Sequence, residues 1–211
     1  MATFAARAAP EPRLDFLRPA ADAAALFADP VSWGWGVPRG DGHTIIVLPG
    51  LGGSDTYLTP LRGWLRRVGY RAVRSGLNPN RGWSPERVAA IAELARSEAQ
   101  RTGRPVTLIG HSMGGNIARS AARLVPEAVR QVITLGAPLA ASRGTMPAGV
   151  ALTAIYSRSD PIVSYPAALA RDRGATNVEV RSSHTGMATN REVYRELGRV
   201  LAAKVERTTF L

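Results

Sequence analysis

The 211-residue sequence contains no cysteine, which excludes disulfide bonds, thiolate metal ligands and a cysteine nucleophile. It also has no apolar run approaching the ~18 residues from which a membrane-spanning helix is inferred. Residues 1–12 lack the apolar stretch of a secretory signal, so we expect a cytoplasmic protein. What is present, 45% hydrophobic and 20% charged residues, is the composition of an ordinary globular chain.

Lysine is almost absent, since Lys204 is the one lysine among 27 basic residues, and the formal net charge is +11. A strongly basic chain invites a nucleic-acid or anionic-membrane partner. The arginines are nevertheless scattered without any long run, which favours solvated surface charge. We therefore predict no nucleic-acid partner and at most a weak association with anionic membrane surfaces; the sequence does not indicate an oligomeric state.

From residue 43 onward, short runs rich in β-branched residues alternate with segments of helical periodicity. The six predicted strands are HTIIVLP, YRAVRS, VTLIG, QVITLG, ALTAIYS and NVEVRS. Strands buried on both faces and separated by amphipathic helices predict an α/β fold: a three-layer sandwich with a mostly parallel sheet of about six strands and helices on both faces. The last helix is predicted to run from Val193 to Val205. Residues 137–150 are the exception, because their prolines and glycines leave little helical pattern.

Residues 1–42 are interpreted as an N-terminal extension that precedes a domain at 43–211. Residues 1–12 are predicted to be disordered. The stretch RPAADAAALFADP then predicts a short helix with a proline in its first turn and another just past its end. A loop follows, and the extension holds three prominent aromatic side chains, Phe27, Trp33 and Trp35. We expect these to pack against the outside of the domain; the alternative is that they cover its functional edge.

Polar residues gather after the carboxyl ends of the predicted strands, which is where parallel sheets bind ligands. The residues concerned are 50–55 after the first strand, His111 and Ser112 after the third, Asp160 after the fifth and His184 after the sixth. A serine, an acid and a histidine are thus predicted to meet at one edge of the sheet.

The segment Gly110-His111-Ser112-Met113-Gly114 matches the pattern G-x-S-x-G. Alone this pattern is a modest signal in a chain with 21 glycines. Its place between a buried strand and an amphipathic helix is that of a nucleophile elbow, a strained turn that exposes the serine. Side chains in place of the two glycines would clash with the strand and helix. The alternative is an ordinary strand-to-helix turn.

A serine hydroxyl is a weak nucleophile and needs a base within hydrogen-bond reach. Of the three histidines, His184 is predicted to be this base because it alone follows the carboxyl end of a strand. His43 opens the first strand, at the opposite end of the sheet, and is expected on the surface. His111 lies inside the elbow and is expected to have a packing or supporting role.

The base must be oriented by an acid, and we expect that acid to be Asp160. Its distance along the chain from Ser112 accommodates a strand–crossover unit and one further strand, and a helix and a strand then lead to His184. Asp55, after the first strand, is the alternative. Asp172 is expected to be a solvated charge at a helix end.

Developing negative charge on a carbonyl oxygen requires preorganised donors. The elbow supplies the backbone N–H of Met113, at the start of a helix whose dipole assists. The second donor is expected from the loop PGLGGS, with Leu51 as the predicted residue and Gly50 and Gly52 allowing the backbone to approach the substrate. A phosphate cradle is the alternative for this loop, but the P-loop ending Gly-Lys-Ser/Thr is missing.

From about His43 to the C-terminus, these motifs resemble those of the α/β-hydrolase superfamily. The resemblance is formed by LPGLGGSD, GHSMGG, YSRSDPIV and SSHTGM, in the family order Ser, Asp, His. It is nearest to small bacterial lipase- and esterase-like hydrolases without a lid. It implies that Leu51 supplies an oxyanion N–H. Leucine and proline stand where many lipases have His-Gly in the same loop, which bears on the substrate.

The resemblance implies a serine hydrolase that cleaves carboxylic esters through an acyl-enzyme. Ser112 would be the nucleophile, His184 the base and Asp160 the group that holds its tautomer. The substrate would be a small-molecule or lipid ester, and no metal ion or organic cofactor is implied. Two alternatives stay open: an acyltransferase, thioesterase or phospholipase using the same residues, or a non-catalytic binding module on a hydrolase fold.

Overall fold

A computed structural model describes residues 18–142 and 144–203. The predicted disorder of residues 1–12 and the predicted helical position of Val205 lie outside these ranges. Within them, no helix combines the length and the apolar character needed to cross a membrane.

All six predicted strands are present and form one sheet. The strands are β1 (Thr44–Leu48), β2 (Arg71–Arg74), β3 (Val106–His111), β4 (Val129–Leu135), β5 (Ala151–Tyr156) and β6 (Thr176–Glu179). Their order across the sheet is β2-β1-β3-β4-β5-β6, and every neighbouring pair is parallel. Every residue of the central strands β1 and β3 is buried, as expected for strands covered on both faces. The prediction of a parallel α/β sheet is confirmed.

Helices fill most of the intervals between the strands. They are α1 (Arg18–Ala28), α2 (Thr59–Arg67), α3 (Pro85–Thr102), α4 (Met113–Leu124), α5 (Tyr165–Ala168) and α6 (Arg191–Ala202), with 3₁₀ helices at Pro30–Trp33, Leu139–Ala141 and Thr185–Thr189. Helix α3 begins and ends at residues that cap it. The Ser84 hydroxyl accepts the N–H of Arg87 at its start, and Gly103 ends it in the left-handed conformation.

The helices form two layers, one on each face of the sheet. Apolar residues of α3 and α4, such as Ile91 and Ile117, pack with the face that includes Leu108. Apolar residues of α1, α2 and α6 pack with the opposite face, together with Val47 and Ile109. This is the predicted three-layer sandwich. It places the carboxyl ends of all six strands at one edge.

The described part of the N-terminal extension packs beside α2 and α6, on the same face of the sheet. Leu26 and Val31 are buried there, and the Trp64 indole N–H donates to the Val31 carbonyl at 2.7 Å. Phe27, Trp33 and Trp35 remain exposed, with the Arg67 guanidinium 5.2 Å above the Trp33 ring. The prediction that these three aromatic side chains pack against the domain is therefore wrong, although the buried residues beside them do pack there. Helix α1 itself contacts the 3₁₀ helix Thr185–Thr189, which follows His184. The boundary at residue 42 stays a prediction.

The connection at residues 137–150 is irregular, as its composition indicated, but it is tightly fastened. Arg119 of α4 donates to the Ser142 hydroxyl at 2.8 Å and to the carboxylate of Asp172 at 2.7 and 2.9 Å. Asp172 also accepts the N–H of Met146. The prediction that Asp172 is a solvated charge is therefore wrong. Its carboxylate is buried against a guanidinium from a distant helix, a pairing that local sequence does not indicate.

Candidate active site

The elbow at Ser112 is a strained turn between β3 and α4. Ser112 has φ 51° and ψ −126°, and it is the one non-glycine with positive φ among the residues that the structure describes. A Cβ on Gly110 would overlap the backbone of the elbow helix, and one on Gly114 would lie 2.5 Å from the Pro49 carbonyl oxygen. Both glycines are therefore required by contact, as predicted. The turn leaves the Ser112 side chain partly exposed.

His184 and Asp160 meet at the same edge, on the loops after β6 and β5. The Nδ1 atom of His184 lies 2.8 Å from Oδ2 of Asp160, and both side chains are buried. The other carboxylate oxygen, Oδ1, accepts the N–H groups of Ile162 and Val163 at 2.8 and 2.9 Å. A carboxylate held in this way accepts Nδ1–H from the ring. Nε2 is then free to accept a proton.

One hydroxyl links the loop of the acid to the loop of the base. The Ser157 hydroxyl oxygen accepts the N–H of Ser159 at 3.1 Å and that of Ser182 at 3.2 Å. Ser157 is almost fully buried. The two loops therefore share an anchor beside the pair of Asp160 and His184.

Ser112 lies next to this pair without a hydrogen bond to it. In the described ranges, the Ser112 hydroxyl has no hydrogen-bond partner within 3.5 Å. The neighbouring His111 ring lies 4.9 Å from the His184 ring, so the elbow and the base adjoin. Serine–histidine bonds are often long before substrate binds. The structure brings Asp160 and His184 together and sets Ser112 beside them with the serine–histidine bond open.

Three of the four amides at residues 50–53, in the loop after β1, donate within the protein. The N–H of Gly50 donates to the Tyr57 hydroxyl, that of Gly52 to the Asn80 carbonyl, and that of Gly53 to the Gly50 carbonyl. Among residues 50–53, Leu51 alone has an N–H without a partner in the described part of the chain. The predicted donor residue is thus available, whereas the amides of Gly50 and Gly52 are engaged within the protein.

The second predicted donor, the Met113 N–H, is the first amide of α4. Such an amide has no acceptor within its own helix, and it lies at the positive end of the helix dipole. Leu51 and Met113 thus offer two N–H groups, one in the loop after β1 and one at the start of the helix that follows the elbow. This arrangement can stabilise negative charge on an oxygen bound beside Ser112.

Asn80 fixes the loop after β1 and was not singled out from the sequence. Its side-chain N–H donates to the Pro49 carbonyl at 2.7 Å, and its own backbone N–H donates to the Gly53 carbonyl. The side chain is fully buried. The stretch NPN indicated a turn and nothing about the loop that the turn would hold.

Asp55, the alternative acid, lies in a different place. Its carboxylate accepts the N–H and hydroxyl of Ser75 at 3.0 Å each and the N–H of Gly76 at 2.9 Å. Arg62 lies 4.0 Å away. Asp55 therefore joins the loop after β1 to the end of β2, and His184 has Asp160 as its carboxylate partner.

His111 makes hydrogen bonds with both ring nitrogens, which agrees with the supporting role among the two roles that were expected for it. Its Nε2 lies 2.9 Å from the backbone carbonyl oxygen of His184, and its Nδ1 lies 2.8 Å from the Tyr57 hydroxyl. Burial, together with the nearby His184, lowers the pKa of His111 to about 4. Burial raises the pKa of Tyr57 to about 12. Both groups are therefore neutral near pH 7. No signal in the sequence pointed to Tyr57.

His43 lies at the opposite end of the sheet, as predicted, but the prediction that it is a surface residue is wrong. It is 2% exposed, with Nδ1 against Asp41 and Nε2 against Thr107. These contacts satisfy both ring nitrogens inside the fold. In the part of the chain that the structure describes, no group of three or more histidine or acidic side chains is placed to hold a metal ion.

Comparison with known proteins agrees with this architecture. The fold and the elbow define a minimal α/β-hydrolase domain. Residues 85–198, more than half of the chain, match the family model described as PGAP1-like alpha/beta domain. The chain belongs to this family. The matched segment includes Ser112, Asp160 and His184.

Individual relatives point the same way. The chain is 31% identical over 143 residues to a Variovorax paradoxus (strain S110) protein named putative carbamate hydrolase RutD, covering 61% of this chain and 53% of that protein. It thus spans about half the length of this curated relative. The structure is also similar to a carboxylesterase from Mesorhizobium loti, with a TM-score of 0.59, 21% identity and coverage of 77% and 89%. The type II thioesterase BorB of the borrelidin cluster gives a TM-score of 0.59 at 17% identity, covering 82% and 96%.

Proposed function

We propose that the protein is a serine hydrolase that cleaves carboxylic esters through an acyl-enzyme. Ser112 is the nucleophile, His184 the general base and Asp160 the group that orients it. The N–H groups of Leu51 and Met113 form the oxyanion hole. The single observation that supports this most strongly is the hydrogen bond between His184 Nδ1 and Asp160 at 2.8 Å, at the edge where Ser112 occupies its strained turn.

In the first half-reaction, the Ser112 oxygen attacks the ester carbonyl carbon and its proton passes to His184 Nε2. Asp160 keeps Nδ1 protonated and stabilises the imidazolium that forms. The two free amides, of Leu51 and Met113, receive the negative oxygen of the tetrahedral intermediate. The carbon–alkoxy bond then breaks, and the alcohol leaves with the proton from Nε2.

In the second half-reaction, water replaces the alcohol. The water oxygen attacks the acyl carbon of the ester on Ser112, and His184 removes a proton from this water. The intermediate again places its negative oxygen against the two amides. The bond to Ser112 then breaks, the serine oxygen recovers the proton from His184, and a carboxylic acid is released.

Two exposed apolar side chains, on the loops after β1 and β5, favour a substrate with an apolar acyl group. Leu51 is 65% exposed and Ile162, two residues after Asp160, is 70% exposed. Ser112 itself is partly exposed. A small-molecule or lipid ester can therefore approach from solvent and bury apolar surface against these side chains.

The test is a panel of p-nitrophenyl esters with acyl chains of increasing length, assayed with the parent, Ser112→Ala and Ser120→Ala. Ser120 lies two turns along the same helix, where its hydroxyl accepts the Trp83 indole N–H, so its replacement is a matched control. A p-nitrophenyl carbamate belongs in the panel because of the name of the 31% identical relative. We expect ester turnover in the parent and in Ser120→Ala and none in Ser112→Ala.

Two results would contradict the proposal. One is a folded parent that turns over no ester of any chain length. The other is activity that survives in Ser112→Ala, which would place the reaction elsewhere in the protein. Turnover of the carbamate at a rate above every ester would change the substrate class and keep the mechanism.

A further inference from the structure

We propose that Tyr57 and His111 are positioning residues that jointly set the oxyanion donor and the general base. This inference rests on the proposed function, because it assigns the two residues a role in that reaction. They form a chain of hydrogen bonds from Gly50 through Tyr57 and His111 to the backbone of His184. The chain joins three loops that follow three different strands.

The direction of each hydrogen bond follows from the chemistry of the groups. The His184 carbonyl can only accept, so His111 must donate from Nε2. Burial keeps the His111 ring neutral because it lowers the pKa to about 4, and Nδ1 is then an acceptor. The Tyr57 O–H therefore donates to Nδ1, and its oxygen is left to accept the N–H of Gly50. One proton arrangement satisfies every group.

The Tyr57 end of the chain fixes the direction of the oxyanion donor. A peptide unit is planar, and its N–H and C=O point in opposite directions. The Gly50 carbonyl accepts the N–H of Gly53 at 3.1 Å, and this carbonyl shares its peptide plane with the Leu51 N–H. The Tyr57 hydroxyl accepts the Gly50 N–H at 2.8 Å, and this N–H belongs to the preceding peptide unit. The two peptide units that flank the Gly50 Cα are therefore both held, one by Tyr57 and one by Gly53.

The Tyr57 ring also packs against the loop itself. A Cβ built on Gly53 would overlap the ring, so ring and loop are in direct contact. Loss of the hydroxyl alone would keep this packing and release the Gly50 N–H. A change at this one oxygen therefore separates positioning from packing.

The His111 end of the chain holds the base. His184 begins the 3₁₀ helix Thr185–Thr189, and its carbonyl is the group that His111 binds. Asp160 orients the His184 ring, whereas His111 anchors its backbone. The residue before the nucleophile thus ties the elbow to the loop that carries the base.

The primary test compares Tyr57→Phe with Tyr70→Phe. Tyr70 is a buried tyrosine whose ring contacts His43 at the other end of the sheet, so its replacement is the same chemical change away from the site. For Tyr57→Phe we expect kcat to fall ~10- to 100-fold with KM within ~2-fold of the parent, because the lost orientation matters most in the transition state. Tyr70→Phe should keep the parent values of both.

A second readout separates positioning from general weakening of the fold. A trifluoromethyl ketone forms a hemiketal with the serine and presents an oxyanion to the two amides. We expect its inhibition constant to rise in Tyr57→Phe by about the factor lost from kcat/KM, and to be unchanged in Tyr70→Phe. If Tyr57→Phe does not fold, His111→Gln serves in its place. Its side-chain N–H takes the place of Nε2 as the donor to the His184 carbonyl, while no acceptor remains at the position of Nδ1 that Tyr57 binds.

Three outcomes would overturn the inference. In the first, a folded Tyr57→Phe has parental kcat and inhibition constant. In the second, Tyr70→Phe loses as much as Tyr57→Phe. In the third, the losses disappear when rates are divided by the fraction of folded protein. A parent without Ser112-dependent ester turnover would instead refute the proposed function, and this inference with it.

Discussion

Two histidine–aspartate pairs lie at opposite ends of the same sheet, and a side-chain hydroxyl lies near each of them. At the carboxyl end, His184 Nδ1 is 2.8 Å from Asp160, beside Ser112. At the amino end, His43 Nδ1 is 2.6 Å from Asp41. The two pairs differ in solvent access, in the backbone around them and in the charges nearby. These differences identify the features that make one pair a candidate site.

At the amino end, all the contacts of an acid–histidine–hydroxyl group are within hydrogen-bond distance. His43 Nε2 is 3.0 Å from the hydroxyl of Thr107, so acid, base and hydroxyl are all in contact. Thr107, however, is fully buried within strand β3, where the pairing with β4 shifts register between Val106 and Thr107. A substrate in solvent cannot reach a hydroxyl that is enclosed in this way. The carboxyl-end group has an open serine–histidine contact but offers access and two free amides.

The charges around the two carboxylates also differ. Partial burial raises the pKa of Asp41, but hydrogen bonds from His43 and Arg104 outweigh it and hold the pKa well below its usual range. Burial lowers the pKa of His43, and the neighbouring Asp41 does not offset this. The amino-end pair is therefore a neutral histidine bound to a carboxylate that arginines also hold. Asp160, by contrast, is held by His184 and two backbone amides.

Removing the two hydroxyls should give the largest contrast. We expect Ser112→Ala to lose ~10⁴-fold or more in kcat/KM, because the nucleophile is gone. Thr107→Val should keep parental turnover and lower stability by about 1–2 kcal/mol, since His43 Nε2 loses its partner. Ester kinetics and thermal melts of both variants check this. Loss of turnover in a folded Thr107→Val would remove the distinction between the two ends.

Neutralising the two acids should give a contrast almost as large. Asp160→Asn is expected to reduce kcat by ~10³- to 10⁴-fold, because an amide cannot hold the reactive tautomer of His184. Asp41→Asn should affect stability and leave kcat unchanged within ~2-fold. Asp55→Asn provides a third arm, and we expect lower thermal stability with kcat retained by the folded protein. If Asp55→Asn alone abolished turnover, the acid would have been misassigned.

Substitutions at Leu51 test whether its backbone N–H, a feature of the carboxyl-end group, is needed for the reaction. Leu51→Pro deletes the N–H and should lower kcat by ~10²- to 10³-fold. Leu51→Ala keeps the N–H and should retain most of the activity. Circular dichroism and thermal melts must show that the proline variant is folded. Equal losses in the two variants would mean that the leucine side chain, and not its amide, is what the reaction requires.

The smallest expected effect concerns stability against pH. The pKa values of the buried His43 and His111 are lowered, to about 4 for His111, whereas an unfolded histidine titrates near ~6.5. The stability from keeping them neutral is complete above pH ~6.5 and is lost as the pH falls towards 4, because the unfolded chain binds the additional protons. We expect the drop in Tm between pH 7 and 5 to be smaller in His43→Gln than in the parent, because the variant has no imidazole to protonate at this position. A drop as steep as the parent's would show that His43 is not the group involved.

Features that local pattern determines could be predicted from the sequence. The six strands followed from runs of β-branched residues, and their parallel direction puts the residues after β3, β5 and β6 at one edge, with β4 between β3 and β5. The need for glycine at both flanks of the elbow followed from steric contact. The sequence therefore predicts Ser112, Asp160, His184 and the amide of Leu51 at the same edge.

Features that depend on distant partners could not be predicted. His43 was expected to be exposed because it precedes a strand, yet Thr107 and Asp41 enclose it. Asp172 meets Arg119 across 53 residues. Tyr57 acts through loops whose shapes are set by tertiary contacts. In each case the residue meets its partner through the tertiary fold, and the neighbouring sequence does not indicate which residue that partner is.

The fastening of residues 137–150 has a consequence for the exchange of amide protons with solvent. The segment is nearly devoid of regular structure, but the hydrogen bonds of Arg119 and Asp172 tie it to α4. The amide protons of an irregular surface loop normally exchange with solvent through local fluctuations of the loop itself. Here the Met146 amide donates to the same carboxylate that binds Arg119 of α4, so we expect its exchange to be slower than that of an unattached loop. The exchange rate of this loop amide is then a measure of how firmly the loop is attached to the helix that presents Ser112.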